Sequence, residues 1–197
     1  MMGTRAYRQE CQQGKRGKRP LDATQLRDLA LAYVARYATS ADKLERYLAR
    51  KLAERGWAEG EAQPDIPALV ARYVDLGYID DAAYARMKAS GMQARGLGAR
   101  RVHQALAEAG VDQPIRAEVT ASMAQRRHAA LTLARKRRFG PFGLAPPDRP
   151  TREKQLAAML RAGHDLDMAR EMVNAASTAA AEEWAMALDG DTRDGAW

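Results

Sequence analysis

Gly77-Tyr78-Ile79-Asp80-Asp81-Ala82-Ala83-Tyr84-Ala85, running on to Arg95-Gly96-Leu97-Gly98-Ala99-Arg100-Arg101-Val102, is where the reading of this 197-residue chain turns. These residues close one helical unit and open the next, and the unit recurs. A glycine ends an apolar stripe at Gly56, Gly110 and Gly163, at separations of 54 and 53 residues. Leu44, Leu48 and Leu52 precede the first, Val102, Ala105, Leu106 and Ala109 the second, and Leu156, Met159 and Leu160 the third. Steps of three and four put each set on one side of a helix. A glycine just past such a stripe reads as a left-handed cap. A short helical unit repeated at constant spacing is the mark of a binding scaffold rather than of an enzyme built around one pocket.

Helix restarts follow the same plan. Asp65-Ile66-Pro67, Gly110-Val111-Asp112-Gln113-Pro114 and Gly163-His164-Asp165-Leu166-Asp167 each offer an Asp to cap free backbone N–H groups, with Pro tolerated in the first turn. No stretch alternates apolar and polar residues between turn markers. The expected fold is all-α, with three tandem three-helix units of helix-turn-helix type. Residues 1–21 read as a flexible basic arm, 22–79 as the first repeat, 80–124 as the second and 125–177 as the third. The third is interrupted by a loop at 139–150 rich in Pro and Gly, and 178–197 read as an acidic tail.

Hydrophobic residues make up 46% of the chain but aromatics only 6%, which suits closely packed short helices. No run approaches the roughly 20 apolar residues that span a bilayer, and the polar, basic start has no signal-peptide form. The lone Cys11 excludes an internal disulfide framework, so a cytoplasmic protein is expected. Net charge is +7 overall, with +5 on the first twenty residues and −4 on residues 178 to 197. A basic body with a basic arm points to a polyanion or to an assembly built on one.

Arg95, Arg100 and Arg101 stand out as contact residues, with Lys88 on the preceding helix. Gly96 and Gly98 would let the backbone approach a partner, and cations at a helix start oppose its dipole. Arg46 and Arg50 are further candidates, although Glu45 and Glu54 among them also suit a solvated ion-pair face. The run Arg135-Lys136-Arg137-Arg138 is the densest polyanion signal, and equally fits a basic helix end. Tyr78 and Tyr84 read as core anchors where the first two units join, and Asp80 with Asp81 as a helix cap rather than a metal or acid–base pair. The glycine phrase lacks both the G-x-x-x-x-G-K-[ST] form and a preceding strand, so it does not read as a nucleotide cradle. His103, His128 and His164 share no motif. No metal, cofactor or catalytic site is expected, and the chain does not read as an enzyme.

In order and spacing, Gly77 to Asp81, Tyr84-Ala85, Arg95 to Val102 and the Leu106 to Gly110 ending resemble the RecX family, regulators of the RecA recombinase, over roughly residues 25 to 176. That resemblance implies an elongated, curved modular rod that binds the RecA filament on single-stranded DNA. It also implies lowered ATPase, strand-exchange and LexA coprotease activities and some contact with single- or double-stranded DNA. A modular rod with no heptad pattern is expected to be a monomer. His164 departs from the family, which has an aromatic there; the 139–150 loop, the arm and the tail are also unusual. A helix-turn-helix DNA-binding module acting without RecA is the alternative.

Overall fold

The computed structural model describes residues 19–60 and 62–188; Cys11, most of the basic arm and the acidic residues from Asp189 onward lie outside them. The described residues form ten α-helices, one 3-10 turn and no strand beyond an isolated bridge. The fold is all-α. Among them no helix is long and apolar enough to cross a membrane. The chain divides into two compact units, one ending at Ile79 and one beginning at Asp80.

The first unit holds α1 (Ala23–Arg36), α2 (Ala41–Arg55) and α3 (Ile66–Asp75). Asp22 caps α1 by accepting from the Gln25 N–H at 2.7 Å, and Asp65 caps α3 through Ala68 at 2.9 Å. Leu26, Ala30, Leu44, Leu48, Ile66, Val70 and Ile79 bury their apolar faces together, each large side chain stabilising the unit by about 1.5–3 kcal/mol. Leu21 is wholly buried in the same cluster. It donates to the Gly56 carbonyl and accepts from the Ala58 N–H, both at 2.9 Å. This corrects the arm, which by sequence reaches residue 21: Leu21 belongs to the core, and its apolar side chain is what draws it there.

The second unit holds α4 (Asp81–Gln93), α5 (Ala99–Ala107), α6 (Gln113–Glu118), α7 (Met123–Arg137), a 3-10 turn (Gly140–Phe142), α8 (Arg149–Arg161), α9 (Leu166–Asn174) and α10 (Thr178–Met186). Tyr84, Ala85, Met92, Val102 and Leu106 form one core cluster. Ala130, Leu131, Ala134, Met159, Met172 and Ala185 form part of another. The acidic tail drawn at 178 is also corrected in its first half. Ala181 and Ala185 of α10 are buried in that second cluster, and Arg127 donates to the Trp184 carbonyl at 2.9 Å while lying over the indole ring. The alanine spacing supplies an apolar helix face that the acidic composition masks.

One turn recurs through both units. After a helix, a residue with positive φ reverses the chain, and the following N–H donates to the carbonyl five residues back. Tyr78 bonds Tyr73, Leu97 bonds Met92, Val111 bonds Leu106, Phe139 bonds Ala134 and His164 bonds Met159. Gly77, Gly96, Gly110 and Gly163 occupy four of the reversals; Arg138, at φ 55°, occupies the fifth. This is the Schellman closure, which satisfies carbonyls that the helix end leaves open. At the first of these turns Tyr78 is 55% exposed, its ring tilted against Tyr73, while Ile79 takes the buried position. Tyr84 is buried within the second unit's own core; Tyr78 is not a core residue, because the Gly77 reversal turns Ile79 inward in its place.

The α4–α5 loop is wedged into the rest of the second unit. Gly98 donates to the Ala162 carbonyl at 2.9 Å, and Arg100 N–H to the Gly163 carbonyl at 3.3 Å. A Cβ on Gly98 would lie 2.3 Å from the Gly163 carbonyl, and one on Gly163 would lie 2.4 Å from the Arg101 nitrogen. Gly98 has an ordinary φ of −76°, so close approach rather than backbone conformation demands glycine there. His164, 2% exposed, donates from Nε2 to the Gly96 carbonyl at 2.9 Å. Burial holds its pKa below 6.5, outweighing the raising effects of that hydrogen bond and of Asp165.

Replacing Gly98 by Ala is expected to destabilise the protein by about 1–3 kcal/mol through overpacking. Gly91→Ala, inside α4 with open space around its Cβ, is expected to stabilise by up to about 1 kcal/mol. Paired denaturant titrations separate the two. His164 sets a pH dependence. Below pH 6.5 the unfolded chain takes up a proton that the buried imidazole refuses. Its contribution is therefore complete above 6.5 and falls as pH drops through 6.5 toward the depressed folded pKa, by at most about 1.4 kcal/mol per unit. Titrations at pH 7.5 and 5.5 are expected to show this loss in the natural protein and a smaller one in His164→Gln.

Candidate functional site

The second unit carries an open basic concavity of about 270 Å³, lined chiefly by α5, α6 and α7 with Gln93 at the end of α4. Arg100 and His103 come from α5, Arg116 from α6 and Arg126 from α7, with Asp165 just ahead of α9. Val102, Leu106 and Val119 supply the apolar lining. Three guanidiniums thus face one carboxylate. A guanidinium is a planar fork of donors matched to carboxylate or phosphate oxygens, and here it works beside apolar walls that lower local hydration.

Local folding explains each position. Ser122 and Gln125 form a reciprocal capping box that starts α7 and sets Arg126 in its first turn. Arg126 pairs with Asp165, and Asp165 makes no capping hydrogen bond to α9. The expectation that each post-glycine Asp caps its helix therefore fails at Asp165, whose carboxylate is drawn to the guanidinium, and also at Asp112. It holds at Asp80, which accepts from Ala83 at 2.8 Å. Arg100 donates to the Leu160 carbonyl at the end of α8. Its charge lies at the favourable negative end of α8, which offsets its poor place at the start of α5. Arg116 Nε is buried and has no hydrogen-bond partner among the described residues, as is also true of Arg127 Nε and His164 Nδ1.

Of the ten contact residues expected from the sequence, Arg100 alone lines this concavity. Arg95 and Arg101 are exposed on the loop and on α5, and Arg101 donates to Gln104 at 3.0 Å. Gly96 and Gly98 do approach a partner's backbone, but the partner is the same chain: a Cβ on Gly96 would meet Leu133 at 2.7 Å. The external role read for these glycines is thereby corrected. Lys88 is half-buried, its ammonium 5.8 Å from the Tyr84 ring centre. Arg135 pairs with Glu182 of α10 and lies over Phe142, whereas Lys136, Arg137 and Arg138 are exposed at the end of α7. In the first unit Arg46 pairs with Asp42, and Arg50 lies 3.6 Å from Glu54, both at i, i+4 spacing. The lining residues missed were His103, Arg116 and Arg126. They come from three different helices, so no local spacing brings them together. Among the described residues no group of three His, Cys, Asp or Glu is placed to hold a metal.

Residues 80–119 match the family model for the second three-helix domain of RecX, which spans α4 to α6. The chain is 34% identical over 171 residues to "Regulatory protein RecX" of Myxococcus xanthus, covering 83% of this chain and 91% of that protein. It is 32% identical over 158 residues to the protein of the same name from Halorhodospira halophila, covering 80% and 89%. The crystal structure of RecX from Lactobacillus salivarius superposes with a TM-score of 0.57 at 20% identity, over 76% of this chain and 93% of that one. That last likeness concerns the fold.

Proposed function

The chain belongs to the RecX family of regulatory proteins, and we propose that it binds the RecA filament on single-stranded DNA and lowers its ATPase, strand-exchange and LexA coprotease activities. The observation that carries the reading is the concavity of Arg100, Arg116 and Arg126, whose charge is only partly neutralised by Asp165. Such a site takes an oxyanion: a carboxylate of an acidic protein surface, or a phosphate of the strand inside the filament. Arg95 and Arg101 lie nearby in sequence as exposed residues and would add long-range attraction to the encounter.

Regulation without chemistry follows from binding alone. A chain that grips adjacent RecA protomers resists the rearrangements that ATP turnover requires, and it obstructs entry of LexA or of a second duplex. Weak contacts repeated on neighbouring protomers add up only where the protomers are assembled, which discriminates filament from free subunits. On this reading no catalytic residue is required, and the partly paired cations of the first unit and of the α7 end give supplementary contacts.

The test is the ATPase rate of RecA on single-stranded DNA as this protein is titrated in. A fall at less than one protein per RecA is expected. The folded double variant Arg95→Glu with Arg101→Glu is expected to need at least about tenfold more protein for the same fall, since reversing rim charges slows association and adds repulsion. Arg100 is left intact because it also holds the α8 end. An unchanged ATPase, with salt-sensitive binding to duplex DNA in the absence of RecA, would replace this reading by that of a DNA-binding module.

A further inference from the structure

We propose that a groove on the first unit, between α1 and α2, is a base-stacking site for single-stranded nucleic acid. It is an open groove of about 520 Å³ whose lining includes Tyr33, Tyr37, Tyr47, Arg36, Arg50 and Lys51. Tyr33 and Tyr47 stack with ring centres 4.3 Å apart and planes 25° from parallel, and Tyr37 tilts against Tyr33 at 5.3 Å. Each flank carries cations: Arg36 lies 5.5 Å from the Tyr37 ring centre, Arg50 and Lys51 lie 5.6 and 5.8 Å from that of Tyr47.

Part of this assembly is ordinary packing. Tyr33 and Tyr47 cover the first unit's core and are half-buried. Core duty does not account for Tyr37, which follows the last turn of α1 in extended backbone, is 49% exposed and still keeps its ring on the stack. Nor does surface ion pairing account for the cations. Glu54 lies 2.7 Å from Lys51 and 3.6 Å from Arg50, so one carboxylate answers two cations, while Arg36 leans on an aromatic ring. A row of aromatic rings ending in an exposed one, flanked by excess positive charge, matches what an unpaired strand presents: planar bases and a phosphate at every step. Duplex DNA has its bases already stacked and offers the rings nothing. An uncharged protein segment would use the rings without calling for this charge, and an acidic one would use the charge without supplying a planar group at every step. The site goes beyond the proposed regulation, since it acts on a bare strand and lies wholly in the first unit.

The experiment is fluorescence anisotropy of a labelled oligothymidylate with the full-length protein, without RecA, over a range of salt. Tyr37→Ala is expected to weaken binding about five- to a hundredfold, the loss of one stacked base, and Tyr37→Phe to restore it. Arg36→Gln with Arg50→Gln is expected to reduce the slope of log affinity against log salt by about 1.4, or 0.7 for each phosphate no longer neutralised. No binding by the natural protein, or Tyr37→Ala binding like it at every salt, overturns the proposal. Normal oligothymidylate binding by Tyr37→Ala combined with weaker attachment to the RecA filament assigns the groove to a protein segment and overturns it too. Failure of the ATPase prediction with the Tyr37 effect intact removes the regulator reading and leaves this site standing.

Discussion

At Gly98 and Gly163 two backbones touch where neither residue has a side chain, and the second unit is organised around that contact. Gly98 donates to Ala162, Arg100 N–H reaches the Gly163 carbonyl, and His164 returns a hydrogen bond to Gly96. Packing at this distance leaves no room for even one methyl group, so the contact is all-or-none rather than gradual. It fixes the start of α5, hence Arg100 and His103. It also fixes the turn into α9, hence Asp165 and, through it, Arg126. The basic concavity is thus a product of a polar backbone joint rather than of the apolar clusters on either side.

That dependence joins stability to recognition. An arginine cluster held by flexible stems would lose rotamer freedom on binding and gain little. Here Arg126 is tied to Asp165 and Arg100 to the α8 end, so two of the three guanidiniums are preset before a ligand arrives. The arrangement also commits two donors internally and leaves the Arg116 guanidinium as the lining cation for which, among the described residues, neither an ion pair nor a helix-end carbonyl offsets its charge.

Much of the helical organisation was legible in the sequence because it rests on local rules. Glycine closures at Gly110 and Gly163, caps at Asp65 and Asp80, and the buried stripes through Leu44, Leu48, Val102 and Leu106 follow from spacing of three to five residues. The direction in which Gly96 and Gly98 use their freedom was not legible, since it depends on residues 133 and 163. Arg138 breaks the glycine rule at an equivalent turn and so gave no signal of the closure it makes. Charge composition concealed the packing of α10, and the concavity escaped because its cations come together only after α5, α6 and α7 are assembled.

The tryptophans have a further, optical consequence. Trp57 lies in the first unit, bridged to Leu21 with its indole N–H donated to the Ala62 carbonyl at 3.0 Å. Trp184 lies in the second, its ring 4.3 Å beneath the Arg127 guanidinium. The two fluorophores sit in different compact units and in different electric environments, one hydrogen-bonded and one beside a full positive charge. With Trp197 removed, each unit reports its own melting through its own emission, and a ligand that clamps one unit announces which one it has reached.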